Sequence, residues 1–298
     1  MSRQKTLAKQ VELNGVGVHS GLLVHVCLKP APQGTGIIFV RTDVKDQPNV
    51  IPALWSYVVD TRLCTLLANN AGVKVGTIEH LMAALRGADV SNVIIEIDGP
   101  EVPIMDGSSA AFIEAIDSVG VVEQEAPVYA IKVLEPIEVR DGDKYVRLMP
   151  SDQETYSGTI IYENQIIGCQ SYEMTFVNGN FRHELADSRT FGLFEEVDAL
   201  RSMGLAKGGS LENAIVVTKD SVMNPEGLRH EDEFIRHKLL DAVGDLYLAG
   251  APVIAAYEGV RLSHGMNNAL LRTLFARPQS WVRVEMGESS LREAVLAA

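Results

Sequence analysis

The chain has 298 residues, 46% hydrophobic and 22% charged, which is an ordinary globular composition with room for two domains. Lysine and arginine total 26 and aspartate and glutamate total 39, so the formal net charge is −13. A protein so acidic is not expected to bind nucleic acid or an anionic membrane through its overall field.

The sequence also predicts a cytoplasmic protein. The first ten residues are polar and lack the apolar core of a signal peptide, and no apolar run approaches the length of a membrane span. The three cysteines (Cys27, Cys64 and Cys169) form no CxxC motif, which indicates reduced thiols. We expect no membrane span, although brief contact with a membrane surface is compatible with this pattern.

In the first half of the chain, strand-like runs come before two helices. Strands are predicted at 22–29 and 36–41, followed by a helix from Thr77, an N-cap candidate, to about Arg86. A strand at 92–98 and a helix from about Ser108 to just before Gly120 complete this half. A charged stretch at 123–127 ends in proline and is the best candidate for a domain boundary.

The second half repeats this plan. A hairpin around Asp141-Gly142 and strands at 157–162 and 171–176 precede a helix at about 230–248. A strand at 253–259 and a helix at about 265–275 follow. The repeated order predicts an α+β fold of two structurally duplicated domains, residues 1–126 and 127–298. Residues 191–217 are surplus to the plan and read as a β-α-β insertion, a candidate specificity element.

The helix predicted at about 230–248 carries a candidate metal site. His237 and Asp241 lie four residues apart, so they share one helical face, and Asp245 extends that row by a turn. His80, on the corresponding helix of the first half, is a candidate third ligand, and Glu79 beside it is a candidate base. A site between the two units could collect all of them, although the spacing alone also fits an ordinary surface pair.

Six separated motifs together resemble the UDP-3-O-acyl-N-acetylglucosamine deacetylase family, the zinc amidases of lipid A biosynthesis. They run in order along the chain: GVGVHSG (15–21), TIEHLMAAL (77–85), VPIMDGSSAAF (102–112), SRTFG (188–192), GLRHEDEFIRHKLLDAVGDLYLAG (227–250) and SHGMNNALL (263–271). The resemblance implies hydrolysis of the N-acetyl group of UDP-3-O-(3-hydroxyacyl)-N-acetylglucosamine to acetate and the free amine. It also implies two α+β domains with sheets outside, helices packed between them, and the catalytic site at their interface.

Residue roles follow from the same resemblance. One zinc ion per chain falls to His80, His237 and Asp241, with Glu79 as general base and His264 as the catalytic histidine. Thr190 corresponds to the hydroxyl that helps hold the oxyanion, and Phe191 lies beside it. The insertion corresponds to an acyl passage around Leu200, Met203, Gly209, Ser210, Ala214 and Val216. Asp245 is the expected acidic partner that offsets the effect of a helix N-terminus on His264.

Binding an anionic UDP-sugar requires local cations in this acidic chain. The resemblance supports Lys144, Lys238 and Arg261 near the nucleotide or sugar, with Lys238 closest to the reacting centre. Tyr162 is a candidate stacking surface for uracil, although a strand tyrosine is more often plain packing. Two positions depart from the family pattern near the expected acyl route: Arg62, where an apolar residue is common, and Lys207, within a glycine-rich segment.

Two rival functions remain open at this point. A zinc peptidase is disfavoured because HExxH is absent and the other ligands lie far along the chain from His80. The second rival is a non-catalytic protein of the same fold that binds a UDP-sugar or an acyl chain. It is disfavoured because every metal, base and acid position of this chain holds a residue that can perform the role. The expected partner is an acylated UDP-sugar, and the expected state is a monomer.

Overall fold

The computed structural model describes residues 2–177 and 179–287. In the first half, helices α1 (Glu79–Gly87) and α2 (Ala110–Val119) and a short 3₁₀ turn at Trp55–Tyr57 accompany ten strands. These strands are β1 (Arg3–Leu7), β2 (Val11–Val16), β3 (Leu23–Pro30), β4 (Ile37–Arg41), β5 (Val50–Pro52), β6 (Val58–Asp60), β7 (Leu66–Ala68), β8 (Lys74–Val75), β9 (Val93–Ile97) and β10 (Val121–Pro127).

The second half has the same kinds of element. Its helices are α3 (Phe181–Glu184), α4 (Phe194–Ser202), α5 (Glu233–Tyr247) and α6 (His264–Phe275), with a 3₁₀ turn at Pro278–Ser280. Its strands are β11 (Tyr129–Val133), β12 (Ile137–Asp141), β13 (Lys144–Met149), β14 (Thr155–Ile161), β15 (Cys169–Thr175), β16 (Phe191–Leu193), β17 (Ile215–Val217), β18 (Val253–Ile254), β19 (Ala256–Val260) and β20 (Trp281–Glu285).

The two large sheets have one topology, which confirms the predicted duplication. The first has the strand order β2-β3-β9-β4-β5 and the second β12-β13-β19-β14-β15. In both, the third strand of the sheet pairs parallel with the fourth, and the other three pairings are antiparallel. Each half therefore builds the same mixed sheet from the same order of elements.

The helices pack between these sheets, and α1 crosses α5 at very close range. Every residue of α1 is buried, and α5 also packs on β14 and β15. A Cβ atom at Gly244 of α5 would lie 2.0 Å from the carbonyl oxygen of Glu79, so this crossing requires glycine. The same Cβ atom would lie 3.1 Å from the backbone nitrogen of Ala83. The crossing brings the N-terminus of α1 to the middle of α5, and this contact positions the candidate site.

Several local expectations need correction. Helix α1 begins at Glu79 after Ile78, with no side-chain cap, and Thr77 is not its N-cap because its backbone is left-handed, with φ of 54°. The strand expected at 253–259 is two strands, since β18 joins the sheet of β11 while β19 joins that of β13 and β14. Residues 123–127, the expected boundary, lie within β10, which pairs with β1. The domain boundary at 126 stays a prediction.

The insertion has the expected β-α-β form, with β16 and β17 paired in parallel and α4 between them. Sequence analysis missed the small sheet of β6, β7 and β8 and the strands β11 and β20. Strands β6, β7 and β8 have only two or three residues each, which is too short for periodicity to show. Across residues 2–177 and 179–287, none of the helices is long and apolar enough to cross a bilayer.

Candidate metal centre and active site

Three side chains from α1 and α5 converge where the helices cross: His80, His237 and Asp241, which we call the ligand group. His80 Nε2 lies 3.5 Å from Asp241 Oδ1, and His237 Nε2 lies 3.4 Å from the same oxygen. The three potential ligand atoms all lie within 4.8 Å of one another, and all three residues are buried. The i, i+4 spacing within α5 puts His237 and Asp241 on one face, and the crossing of α1 supplies His80.

The donor set fits a divalent transition metal. Two imidazoles and one carboxylate are ligands that zinc takes at catalytic sites. Asp241 Oδ1 is buried and accepts no hydrogen bond from the described residues, an unfavourable state for a carboxylate oxygen unless a cation completes it. Burial lowers the pKa of His237 to about 3, so its imidazole is neutral, the form that ligates. His237 Nδ1 lies 3.0 Å from the Ser188 carbonyl oxygen, which fixes the ring with Nε2 facing inward.

Asp241 is an ionised carboxylate in this environment. Burial alone would raise its pKa, but the positive charges of Lys238 and His264 hold the pKa of Asp241 well below its usual range. Lys238 Nζ donates to Asp241 Oδ2 at 2.7 Å, on the oxygen that is not shared by the two histidines. Lys238 therefore has direct contact with the ligand group, close to the expected reacting centre.

Glu79 and His264 face each other beside this group. His264 Nε2 lies 3.8 Å from Glu79 Oε1 and 3.9 Å from Asp241 Oδ2. The other Glu79 oxygen accepts the Thr65 backbone N–H at 3.0 Å, which leaves Oε1 free to face the site. Burial raises the pKa of Glu79, while His264 and His80 oppose that rise. A carboxylate with a raised pKa is better suited to accept a proton at neutral pH.

His264 is the first residue of α6 and is anchored by Asp245. Its Nδ1 lies 2.8 Å from Asp245 Oδ2, and Ser263 caps the helix by accepting the Met266 backbone N–H. Burial disfavours the imidazolium, but Asp245, Glu79 and Asp241 together raise the pKa of His264 to about 9. Asp245 therefore offsets the helix terminus and favours the protonated form of His264.

Beyond the ligand group, a cavity of about 370 Å³ runs from Glu79 and His80 past Thr190 and Phe191 into the insertion. The lining includes five of the six residues expected for an acyl passage: Leu200, Gly209, Ser210, Ala214 and Val216. Met203 is 65% exposed and instead lines a neighbouring groove with Arg62. Leu200, Leu63, His19 and Thr77 line both spaces.

The remaining predicted binding residues lie around the ends of β13, β14 and β19. Tyr162 packs edge-on against Phe191, with ring centroids 5.8 Å apart, and Phe191 packs in turn on Phe234. Arg261 Nε lies 3.0 Å from Asp143 Oδ2 in the hairpin that also carries the exposed Lys144.

Comparison with known proteins gives this geometry a family. The family model for LpxC, UDP-3-O-acyl N-acetylglycosamine deacetylase, matches residues 4–276 of the chain. The chain belongs to this family. The match spans both halves, so it includes every residue of the ligand group as well as Glu79 and His264.

Three curated relatives support the assignment, each named UDP-3-O-acyl-N-acetylglucosamine deacetylase. The protein of Phenylobacterium zucineum is 50% identical over 292 residues, which cover 98% of this chain and 99% of the relative. That of Myxococcus xanthus is 50% identical, covering 93% and 88%. That of Neisseria meningitidis serogroup A is 44% identical, covering 96% and 94%. The LpxC family is a family of metalloenzymes, which agrees with the His-His-Asp group.

Sequence analysis missed three residues that support the site in this member of the deacetylase family. Thr65 donates its hydroxyl to Asp245 Oδ1 at 2.6 Å, and Asn267 donates to Asp245 Oδ2 at 2.9 Å. Ser188 acts through its backbone carbonyl, on which the residue type has no influence. Asn267 lies one turn after His264 on α6, and that spacing is the one sequence signal that could have revealed any of the three.

Proposed function

We propose that this chain removes the N-acetyl group from UDP-3-O-(3-hydroxyacyl)-N-acetylglucosamine, giving acetate and UDP-3-O-(3-hydroxyacyl)-glucosamine. In lipid A biosynthesis this is the committed step. The observation that carries the proposal is that Glu79 and His264 face each other, 3.8 Å apart, beside the group of His80, His237 and Asp241. Membership of the deacetylase family supports the same reaction.

We propose Zn²⁺ as the metal, one ion per chain, held by His80, His237 and Asp241. A bound zinc would supply Lewis acidity to the amide carbonyl and to the attacking water. The chemistry of the residues supports this assignment. His237 has a neutral imidazole, Asp241 is ionised, and its buried Oδ1 has no hydrogen-bond partner in the described structure.

The chain's own residues perform the proton transfers. Glu79 Oε1 takes the proton of the attacking water, because Oε2 is already held by the Thr65 N–H. His264 donates a hydrogen bond from Nε2 to the oxyanion, and the Thr190 hydroxyl, on the cavity wall, adds a second donor. Two acids are then within reach of the leaving amine: Glu79, newly protonated, and His264, protonated from the start.

Substrate binding is assigned to the two regions that flank this chemistry. The acyl chain occupies the cavity of the insertion, whose lining is mainly apolar. The nucleotide lies toward Tyr162, Lys144 and Arg261, with Lys238 nearest the reacting centre. Arg261 is paired with Asp143, which is largely exposed, so a diphosphate would compete with a weak pair.

We further propose that residues 1–126 and 127–298 are the two domains and that one chain suffices for activity. Both halves contribute to the site, Glu79 and His80 from the first, and His237, Asp241 and His264 from the second. A monomer in the cytoplasm agrees with this arrangement.

The test is to measure zinc by elemental analysis and acetate release from the acylated UDP-sugar, both on the same purified protein. We expect one zinc per chain, turnover, loss of turnover with a chelator, and recovery on adding zinc. Tight binding of the UDP-sugar without acetate release would instead identify a binding protein. Cleavage of peptides without action on the UDP-sugar would identify a peptidase.

A further inference from the structure

The residue that leads into the catalytic helix has a strained backbone. Thr77 is β-branched and buried, yet its φ is 54°, in the left-handed region that such residues rarely adopt. Only Ile78 separates it from Glu79 and His80, the first two residues of α1. The backbone of Thr77 therefore leads through Ile78 into the first turn of α1, which has no side-chain cap. Backbone strain of this kind is often stored at functional sites.

One buried carboxylate holds Thr77 in this conformation. Glu101, 5% exposed, accepts the Thr77 hydroxyl at Oε1 at 2.9 Å. The flanking backbone reinforces the contact, since the Gly76 N–H donates to the Pro100 carbonyl at 2.9 Å and the Val102 N–H donates to the Gly76 carbonyl at 3.0 Å. Glu101 is therefore fixed beside the entry to α1.

The same carboxylate holds the glycine-rich turn at the rim of the cavity. Glu101 accepts the His19 backbone N–H at Oε1 at 2.9 Å and the Ser20 backbone N–H at Oε2 at 2.8 Å. A Cβ atom on Gly17 would lie 2.4 Å from Glu101 Oε2, so the turn can close around the carboxylate because position 17 is glycine. His19 and Thr77 both line the cavity that leads to Glu79.

We infer that Glu101 and Thr77 are a positioning pair that aims Glu79 at the reacting centre and ties the turn at 17–21 to the start of α1. The inference rests on the proposed function, in which Glu79 accepts a proton from water. Neither residue contacts the ligand group, so their effect passes through the backbone of Ile78 and Glu79. A misplacement of about 1 Å in a catalytic group can lower a rate by about 10²-fold.

Two substitutions at Thr77 separate positioning from folding. Thr77→Gly accepts the left-handed backbone without strain but removes the hydroxyl, whereas Thr77→Ser keeps the hydroxyl. We expect kcat of Thr77→Gly to fall by about 10- to 10²-fold, with KM and zinc content unchanged, and kcat of Thr77→Ser to stay near that of the wild type. A Thr77→Gly enzyme with wild-type kcat would overturn the inference, and so would an equal loss in Thr77→Ser.

A second measurement does not depend on activity. Glu101→Gln keeps a single acceptor oxygen, so one of the two N–H groups of His19 and Ser20 loses its partner, and its hydrogen exchange should become faster than in the wild type. Unchanged exchange at both amides would refute the role of Glu101. If the wild type released no acetate, the proposed function would fail, while the exchange experiment would still decide whether Glu101 holds the turn.

Discussion

At the scale of single residues, the charge of His264 depends on the carboxylates around it. Asp245 is in direct contact, and Glu79 and Asp241 lie on the opposite side of the ring. Burial opposes the charged form, yet these anions raise the pKa of His264 to about 9. His264 acts as a donor only while it is protonated, so this function is present below that pKa and is lost as the pH rises through it.

Asp245→Asn tests this dependence. Asparagine keeps the shape of the side chain but removes the negative charge, so the pKa of His264 should fall and the alkaline limb of the kcat/KM profile should move to lower pH. The matched control is Asp152→Asn, because Asp152 is an exposed partner of Lys132 and should leave the profile unchanged. An alkaline limb at the same pH in Asp245→Asn and the wild type would contradict this account of His264.

Residue spacing predicts only part of this network. His237, Asp241 and Asp245 follow from helical periodicity, because their neighbours lie on the same helix. Thr65 could not be found in this way, since it meets Asp245 across 180 residues of sequence. The Ser188 carbonyl carries no residue-specific signal at all. Side chains that support a site through long-range hydrogen bonds require the fold to be known first.

At the scale of elements, the insertion separates two apolar spaces. Helix α4 has no buried residue, and its Leu200 lines both the cavity and the neighbouring groove, whereas Met203 lines the groove alone. The β-α-β order was predictable from the sequence. Five of the six residues expected around the passage line the cavity, whereas Met203, at the C-terminal end of α4, lines the groove instead.

Ala214→Phe tests the role of the cavity in acyl recognition. A larger side chain on the cavity wall should fill part of the space, so kcat/KM for substrates with long acyl chains should fall relative to those with short chains. UDP-N-acetylglucosamine without the chain is the internal control, since its slower turnover should not change. Equal effects on all chain lengths would show that the acyl chain binds elsewhere.

At the scale of the whole molecule, a buried ion pair joins the two halves behind the site. Arg86 of α1 lies 2.6 Å from Glu154, just before β14, with both side chains at most 7% exposed. Tyr156 donates to the same carboxylate, and the Arg86 guanidinium lies 4.0 Å from the centre of the Phe176 ring. Removing one partner of such a pair leaves a buried charge without compensation.

We therefore expect Arg86→Met to lower the free energy of unfolding by about 3–5 kcal/mol, as measured by denaturant unfolding. The control is Arg182→Met, which breaks a second pair between the halves, Arg182 with Asp117, at 30% and 52% side-chain exposure. This exposed pair should contribute at most about 1 kcal/mol. Equal losses in the two variants would mean that burial does not govern the strength of these pairs.

The duplication explains why the general architecture was predictable and its details were not. The repeated order of strands and helices is visible in the sequence, and this order predicts two matching sheets. The split of 253–259 into β18 and β19 was not visible, because adjacent residues of one apolar run join different sheets. Nor was the close crossing of α1 and α5 at Gly244, which depends on contacts between the halves.

In the proposed mechanism Glu79 is the base for a metal held by residues of both halves, and Glu79→Gln tests this role most directly. Glutamine keeps the shape of the side chain but cannot accept the proton. Zinc content should stay at one ion per chain while kcat for acetate release falls by about 10²–10⁴-fold. His237→Ala, measured in parallel, should lose zinc and activity together. A Glu79→Gln enzyme with bound zinc and near wild-type kcat would show that Glu79 is not the base.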